Sequence, residues 1–332
     1  MLLSKFLLSG AIALGTLLSG ETMAQRSPST AESYPSKPVS VVIPFVAGGS
    51  NDSEARLYTD KMLASLGQPF VFDFRPGAAS SIGVSYVLKS APDGYTLLIT
   101  NAGISVFPSY YPAVNDTVVK TLVPIIEFSN RSTAVIISPA ALPNVHSLQD
   151  LLAYAKANPG KLNCNTAGAG GITHTVCAAL AGAMNIKITP IHYKGVAQGQ
   201  IDLIAGRTQV SGGTLLGAMP QIKSGKLRAI AILGTDRALL MPELKTSHDQ
   251  GFAVDFPSWL GAFAPPGTPV PIINKLNAEF VKAVRSPDVI KQLETLGSVP
   301  VASSPETFRK KFSNELAYWK KVIQDNDIKV DE

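Results

Sequence analysis

Two glycine-rich segments carry the residue types best suited to chemistry in this chain, and the chemistry they suit is the holding of an anion. The first, Pro44-Phe45-Val46-Ala47-Gly48-Gly49-Ser50-Asn51-Asp52, directly follows the apolar run 39–43. The second, Asn165-Thr166-Ala167-Gly168-Ala169-Gly170-Gly171-Ile172-Thr173-His174, leads into Thr175-Val176-Cys177-Ala178-Ala179-Leu180. Each reads as a strand, a tight turn and a helix start. Such a turn leaves backbone N–H groups without partners at the positive end of a helix dipole, which is a ready anion site. Two of them on two halves of one chain suggest a cleft that closes on a small acid from both sides. Ser50 and Asn51 add polar side chains where the N–H groups converge. Asp52 is assigned to capping the helix start, because a carboxylate facing the ligand would repel an anion. His174, on the first helical turn, either donates to a ligand carboxylate or packs against the next strand.

Other chemistries fit poorly. A phosphate loop needs Lys and then Ser or Thr after its last glycine, and the dinucleotide fingerprint needs a third Gly or Ala where Thr173 stands. There is no Gly-x-Ser-x-Gly elbow. The four histidines, His146, His174, His192 and His248, are widely spaced and form no ligand cluster, so neither a metal nor a cofactor is expected. The net charge of +5 comes from scattered basic residues without interleaved aromatics, which argues against nucleic-acid binding. Cys164 and Cys177 fall at the end of a strand and about one turn into the next helix. Either a disulfide or two buried free thiols fits that placement.

The elements that must position these loops alternate between strand and helix along a chain of 332 residues, 16% of them charged. That length and composition predict α/β layers in two domains rather than one core or a disordered chain. Residues 1–24 read as a signal peptide. Lys5 precedes an apolar run too short to span a membrane, and Thr22-Met23-Ala24 places small residues where a signal peptidase cuts, leaving Gln25 first. Strands are expected at 39–44, 70–73, 95–99, 161–165, 187–193, 208–213 and 228–233, with helices between them, including 53–66, 82–90 and one opened by Ser147. Short apolar runs separated by helices mean parallel strands. Two long extended stretches, 122–138 and 255–264, read as crossings between the domains. Domain 1 is then 25–131 with 255–332, and domain 2 is 132–254. Helices near 271–285 and 287–296 precede a last one over 305–325, with Phe308, Phe312, Leu316 and Trp319 on one face. Two crossings rather than a flexible tether make a hinge.

The chain resembles the substrate-binding proteins of tripartite tricarboxylate transporters, of the Bug or TctC type. The resemblance runs from Tyr34-Pro35-Ser36-Lys37-Pro38 to Ile328-Lys329-Val330. It rests on Pro44-Phe45 through Gly49 and Asp52, on Arg75-Pro76-Gly77-Ala78, and on Ala91-Pro92-Asp93-Gly94-Tyr95-Thr96-Leu97-Leu98. Further markers are Pro159-Gly160-Lys161-Leu162-Asn163, Gly168 and Gly170 with His174, Tyr193-Lys194-Gly195, Ser224-Gly225-Lys226-Leu227-Arg228-Ala229, and Ala264-Pro265 with Gly267-Thr268-Pro269. It implies a periplasmic binding protein of the type II fold, with two α/β domains around a cleft and no catalysis. The ligand carboxylate is then held largely by backbone N–H groups of two loops. These match Phe45, Val46, Ala47, Gly48, Gly49, Ser50 and Asn51 on one side and Thr166, Ala167, Gly168, Gly170, Gly171 and Thr173 on the other. His174, Asn101, Ala102 and Gly213 complete the expected ligand-binding positions.

The expected partners are a small carboxylate and the membrane permease subunits of the transporter, with the protein itself a periplasmic monomer. A carboxylate sensor acting with a signalling partner, or an α/β hydrolytic or nucleotide-binding enzyme, are the alternatives. The chain departs from the family at Ser50-Asn51, at Ala79-Ser80-Ser81 where Gly-Gly-Asn is common, and at Gly213, where many members carry Asp. Loss of that acid argues against an amino-acid ammonium group and leaves room for an aromatic or dicarboxylic ligand.

Overall fold

The computed structural model describes residues 33–106, 108, 116–256 and 258–325. The expected signal peptide at 1–24, Gln25 as the expected mature N-terminus, Pro257 in the second crossing and residues 326–332 lie outside the described residues.

The chain first builds β1 (Val39–Ile43), α1 (Ser50–Leu66), β2 (Phe70–Phe74), α2 (Ser81–Leu88), β3 (Thr96–Asn101), the single-turn α3 (Asp116–Val119) and β4 (Val123–Arg131). After Ser132 it continues with β5 (Thr133–Ile137), α4 (Leu148–Ala157), β6 (Asn163–Thr166), α5 (Ile172–Met184), β7 (Thr189–His192), α6 (Val196–Ile204), β8 (Val210–Thr214), α7 (Leu215–Lys223) and β9 (Arg228–Ile232). It returns through β10 (Trp259–Ala264) to α8 (Val270–Val284), α9 (Pro287–Thr295), β11 (Ser298–Pro300) and α10 (Pro305–Asp325). The strands form two mixed sheets, β11-β4-β10-β3-β1-β2 and β7-β6-β8-β5-β9, in an α/β arrangement.

Local chemistry accounts for the element ends. Gly67 takes φ +68° and closes α1 by donating its N–H to the Leu63 carbonyl, the left-handed stop that glycine adopts without a Cβ penalty. Ser147 caps α4 by accepting the Asp150 N–H at 3.1 Å. β1 is buried on both faces, as a strand covered by helices on each side must be. Val39, Val41 and Ile43 face a core shared with α1 and α8, while Val42 faces one shared with α2 and α10.

Parallel pairing holds where a helix intervenes, in β1 with β2 and β3 and in β6 with β7 and β8. The strands flanking the crossings depart from it. β10 runs antiparallel to β3 and β4, and β5 antiparallel to β8 and β9. A strand arriving from the other sheet enters from the opposite end, so it needs no crossover helix.

α10 keeps the expected apolar face but divides it. Phe308, Phe312 and Leu316 join the core of the first sheet. Trp319 and Ile323 join that of the second, with the Trp319 ring 5.0 Å from Phe256.

Candidate functional site

Both glycine loops leave the carboxyl ends of parallel strands, the first after β1 and the second after β6. Open α/β sheets place ligands at these ends.

In the first loop the helix begins at Ser50, three residues earlier than the sequence suggests, with Gly49 as an extended N-cap. Phe45, Val46, Ala47 and Gly48 are therefore the loop proper, and Val46 is 67% exposed. Asp52 does not cap the helix. Its Oδ2 accepts the Gly48 N–H at 2.9 Å, and Oδ1 pairs with Arg56 Nε at 2.8 Å. From the third helical position a carboxylate reaches back along the chain more readily than to its own turn. It thereby ties the loop down and takes one loop donor out of use. The backbone N–H groups of Ser50, Asn51 and Asp52 open the helix without an i−4 partner. Ser53 is the first to find one, at the Gly49 carbonyl.

The second loop is closed from within. The Ala167 N–H donates to Thr173 Oγ1 at 2.8 Å, Gly168 to Thr166 Oγ1 at 3.3 Å, Gly170 to His174 Nδ1 at 3.1 Å, and Gly171 to the Gly168 carbonyl at 3.4 Å. The expectation that these loop donors point outward is corrected, since side chains two to six residues away and the Gly168 carbonyl take them up. What the loop presents instead is the start of α5, where Ile172 and Thr173 have no i−4 acceptor.

Because His174 accepts on Nδ1, its ring proton sits on Nε2. The ring is buried and packs edge-on against His192 at 4.8 Å, whose Nδ1 meets Thr166 Oγ1 at 2.6 Å. The Cys164–Cys177 disulfide joins β6 to α5 across the base of this loop.

The remaining positions divide. Asn101 accepts the Gly103 N–H at 3.0 Å, capping a short 3-10 turn. Ala102 is fully buried, and its side chain joins the core shared with α2 and α10. Gly213 lies near the end of β8, and a Cβ built there meets nothing within 4 Å. Its neighbour Gly212 is opposite in character, since a Cβ would stand 2.0 Å from Val176 Cγ1.

A buried ion pair below the first loop was missed in the sequence. Arg131, the last residue of β4, contacts Glu54 Oε2 through Nε at 2.9 Å and Nη2 at 2.6 Å. Its Nη1 donates to Asn51 Oδ1 at 2.8 Å and Ser50 Oγ at 3.3 Å. Arg131 closes the strand 123–131 and Glu54 lies on α1, 77 residues earlier, so no local pattern in the sequence pairs them. A small cavity here is lined from both sheets, by Ser50, Arg131, Ser132, Thr214 and Leu240 among others.

A family model described as "Tripartite tricarboxylate transporter family receptor" matches residues 54–328. A protein of Pseudomonas sp. (strain P51), the "UPF0065 protein in tcbD-tcbE intergenic region", is 33% identical over 313 residues, which cover 92% of this chain and 93% of the relative. Among solved structures, a "periplasmic transporter" superposes with a TM-score of 0.80 at 34% identity, covering 90% of this chain and all of that one. R. palustris Rpa4515, solved with adipate, does so with a TM-score of 0.80 at 28% identity, covering 89% and 99%.

Proposed function

Because the chain belongs to the tripartite tricarboxylate transporter receptor family, we propose that it is a periplasmic solute-binding protein. It captures a small carboxylate and hands it to membrane permease subunits, with no catalytic step. The carboxylate is held between the starts of α1 and α5, by the Ser50–Asp52 backbone on one side and that of Ile172 and Thr173 on the other. Residues 25–131 with 255–332 and residues 132–254 act as the two domains of the clamp.

The observation that carries this reading is that two helix N-termini stand at the carboxyl ends of parallel strands in separate sheets, joined by a single-residue crossing. Each supplies unpaired N–H groups and a positive dipole end. The adipate in the R. palustris relative supports a carboxylate ligand. Gly213, where a Cβ would meet nothing within 4 Å, offers no acid to pair with an ammonium group, which supports a distal end that is apolar or carries a second carboxylate.

A thermal-shift screen tests it, using adipate, malate, benzoate and glutamate. A ligand at 100 times its Kd stabilises by about 2.7 kcal/mol if it ignores the unfolded chain. At least one plain carboxylate should raise the melting temperature, and glutamate should not. A response to glutamate alone would refute the ligand class. Export has its own test. Mass spectrometry of the periplasmic fraction should find Gln25 at the N-terminus, and an intact Met1 on cytoplasmic protein would refute the location.

A further inference from the structure

We infer that Arg131 is the positioning residue of the first ligand loop, registering that loop to the point where the chain passes between the two sheets. The inference rests on the reading that the start of α1 holds the ligand.

Arg131 closes β4, Ser132 alone follows, and β5 begins at Thr133. This short linkage is fixed on both flanks. The Arg131 N–H donates to the Ser258 carbonyl at 2.7 Å beside the return strand, and the Ser132 carbonyl accepts the Leu215 N–H at 3.0 Å at the start of α7. The Arg131 side chain is 8% exposed and that of Glu54 is 1% exposed.

Glu54 is fully occupied. Tyr58 donates to Oε1 at 2.7 Å, Ser129 donates to the same oxygen, and Ser298 reaches Oε2 at 3.2 Å beside the two guanidinium contacts. Removing two charges from water is costly, and such a pair holds only with its hydrogen bonds complete. Here the acid is saturated by partners from α1, β4 and β11, so the guanidinium plane cannot turn. A planar fork held through Nε and Nη2 aims Nη1 in one direction, which is the pair of side chains on the first helical turn.

Asn51 Oδ1 and Ser50 Oγ both face Nη1. The polar side chains of the loop thus point down to Arg131 and leave their backbone N–H groups at the helix start. Lysine cannot reproduce this, since one ammonium group cannot satisfy Glu54 and the loop from a fixed plane.

Hydrogen exchange read by mass spectrometry on the full mature chain tests the assignment, with adipate as the binding probe. Asn51→Ala cuts the link and leaves the Glu54–Arg131 pair intact. Arg131→Lys keeps the charge and loses the fork. Both should speed exchange of the 47–53 amides about tenfold, the scale of one lost charge-assisted hydrogen bond, while peptides of the second sheet change less than about twofold. Asn51→Asp keeps an acceptor for Nη1 and should restore slow exchange while weakening adipate binding, a split that lost packing alone would not produce. Unchanged exchange at 47–53 in folded Asn51→Ala, or no rescue by Asn51→Asp, overturns the inference. If the parent protein fails to bind adipate, that result counts against adipate as ligand, and exchange still decides the role of Arg131.

Discussion

Glu315 offers the sharpest test of how α10 is seated. Its carboxylate takes the Trp259 Nε1–H at 2.8 Å and the Ser105 hydroxyl at 3.2 Å, and both donors belong to fully buried residues. Burial pushes its pKa up from the usual 4.5 to about 7, against the pull of the Trp259 hydrogen bond and of Lys311 one turn earlier; Glu127 adds to the rise. A folded pKa above the unfolded one means that folding favours the protonated acid. The stability it contributes is therefore full below about pH 4.5 and is lost as pH rises through 7.

At 1.36 kcal/mol per pH unit the ceiling is about 3 kcal/mol, and solvent screening at this partly buried residue brings it to about 2 kcal/mol. Glu315→Gln keeps an oxygen for Trp259 and cannot ionise. Urea unfolding at pH 5, 6, 7 and 8 should show the variant gaining on the parent protein as pH rises, by about 2 kcal/mol at pH 8 relative to pH 5. Parallel pH profiles, separated by a constant offset, would refute the argument, because they would mean that the carboxylate is solvated and titrates normally.

Three further outcomes follow from local geometry. Gly212→Ala should cost about 3 kcal/mol or more in urea unfolding, because its Cβ collides with Val176, while Gly213→Ala should be tolerated; Gly213→Asp should fold and weaken adipate binding in calorimetry. Reducing the Cys164–Cys177 bond, whose partners lie 13 residues apart, should lower stability by about 3 kcal/mol in chemical unfolding with and without reductant. Ser80 sits at φ +83°, so Ser80→Gly should raise stability by about 0.5–1 kcal/mol after the extra freedom of the unfolded chain is offset.

Features set by near neighbours were legible in the sequence. α10 matches its expected span of 305–325 because Pro305 opens an uninterrupted 3.6-residue pattern, and Ser147 caps because its acceptor and donor lie three residues apart. The glycine loops were found for the same reason. What escaped depends on distance or direction. The Glu54–Arg131 pair spans 77 residues, and no local pattern joins its halves. Asp52 was misassigned because the side that a carboxylate turns to depends on where the helix starts, and Gly49 starts it early. In the second loop, Thr166, Thr173 and His174 read as candidate ligand contacts. Only coordinates reveal that the same atoms close the loop on itself. Antiparallel strands beside the crossings were invisible because strand direction is a property of the route between sheets, not of the strand.

Two bodies joined along one seam retain a single mechanical freedom, swinging about that seam. In the proposed two-domain clamp the strand crossings make such a seam, but α10 is a third tie between the same two bodies, and a swing must strain it unless one end lets go. Its ends are unequal. On the first sheet it is anchored by Phe308, Phe312 and Leu316, with the Glu315–Trp259 bond beside them. On the second it holds by Trp319 and Ile323, and the Trp319 indole N–H is buried with no hydrogen-bond partner among the described residues. The weaker grip is the one that slips, so wide opening should draw Trp319 away from Phe256 into a wetter setting. α10 would then work as a spring-loaded stop, setting how far the jaws part, and the emission of one indole would read its travel.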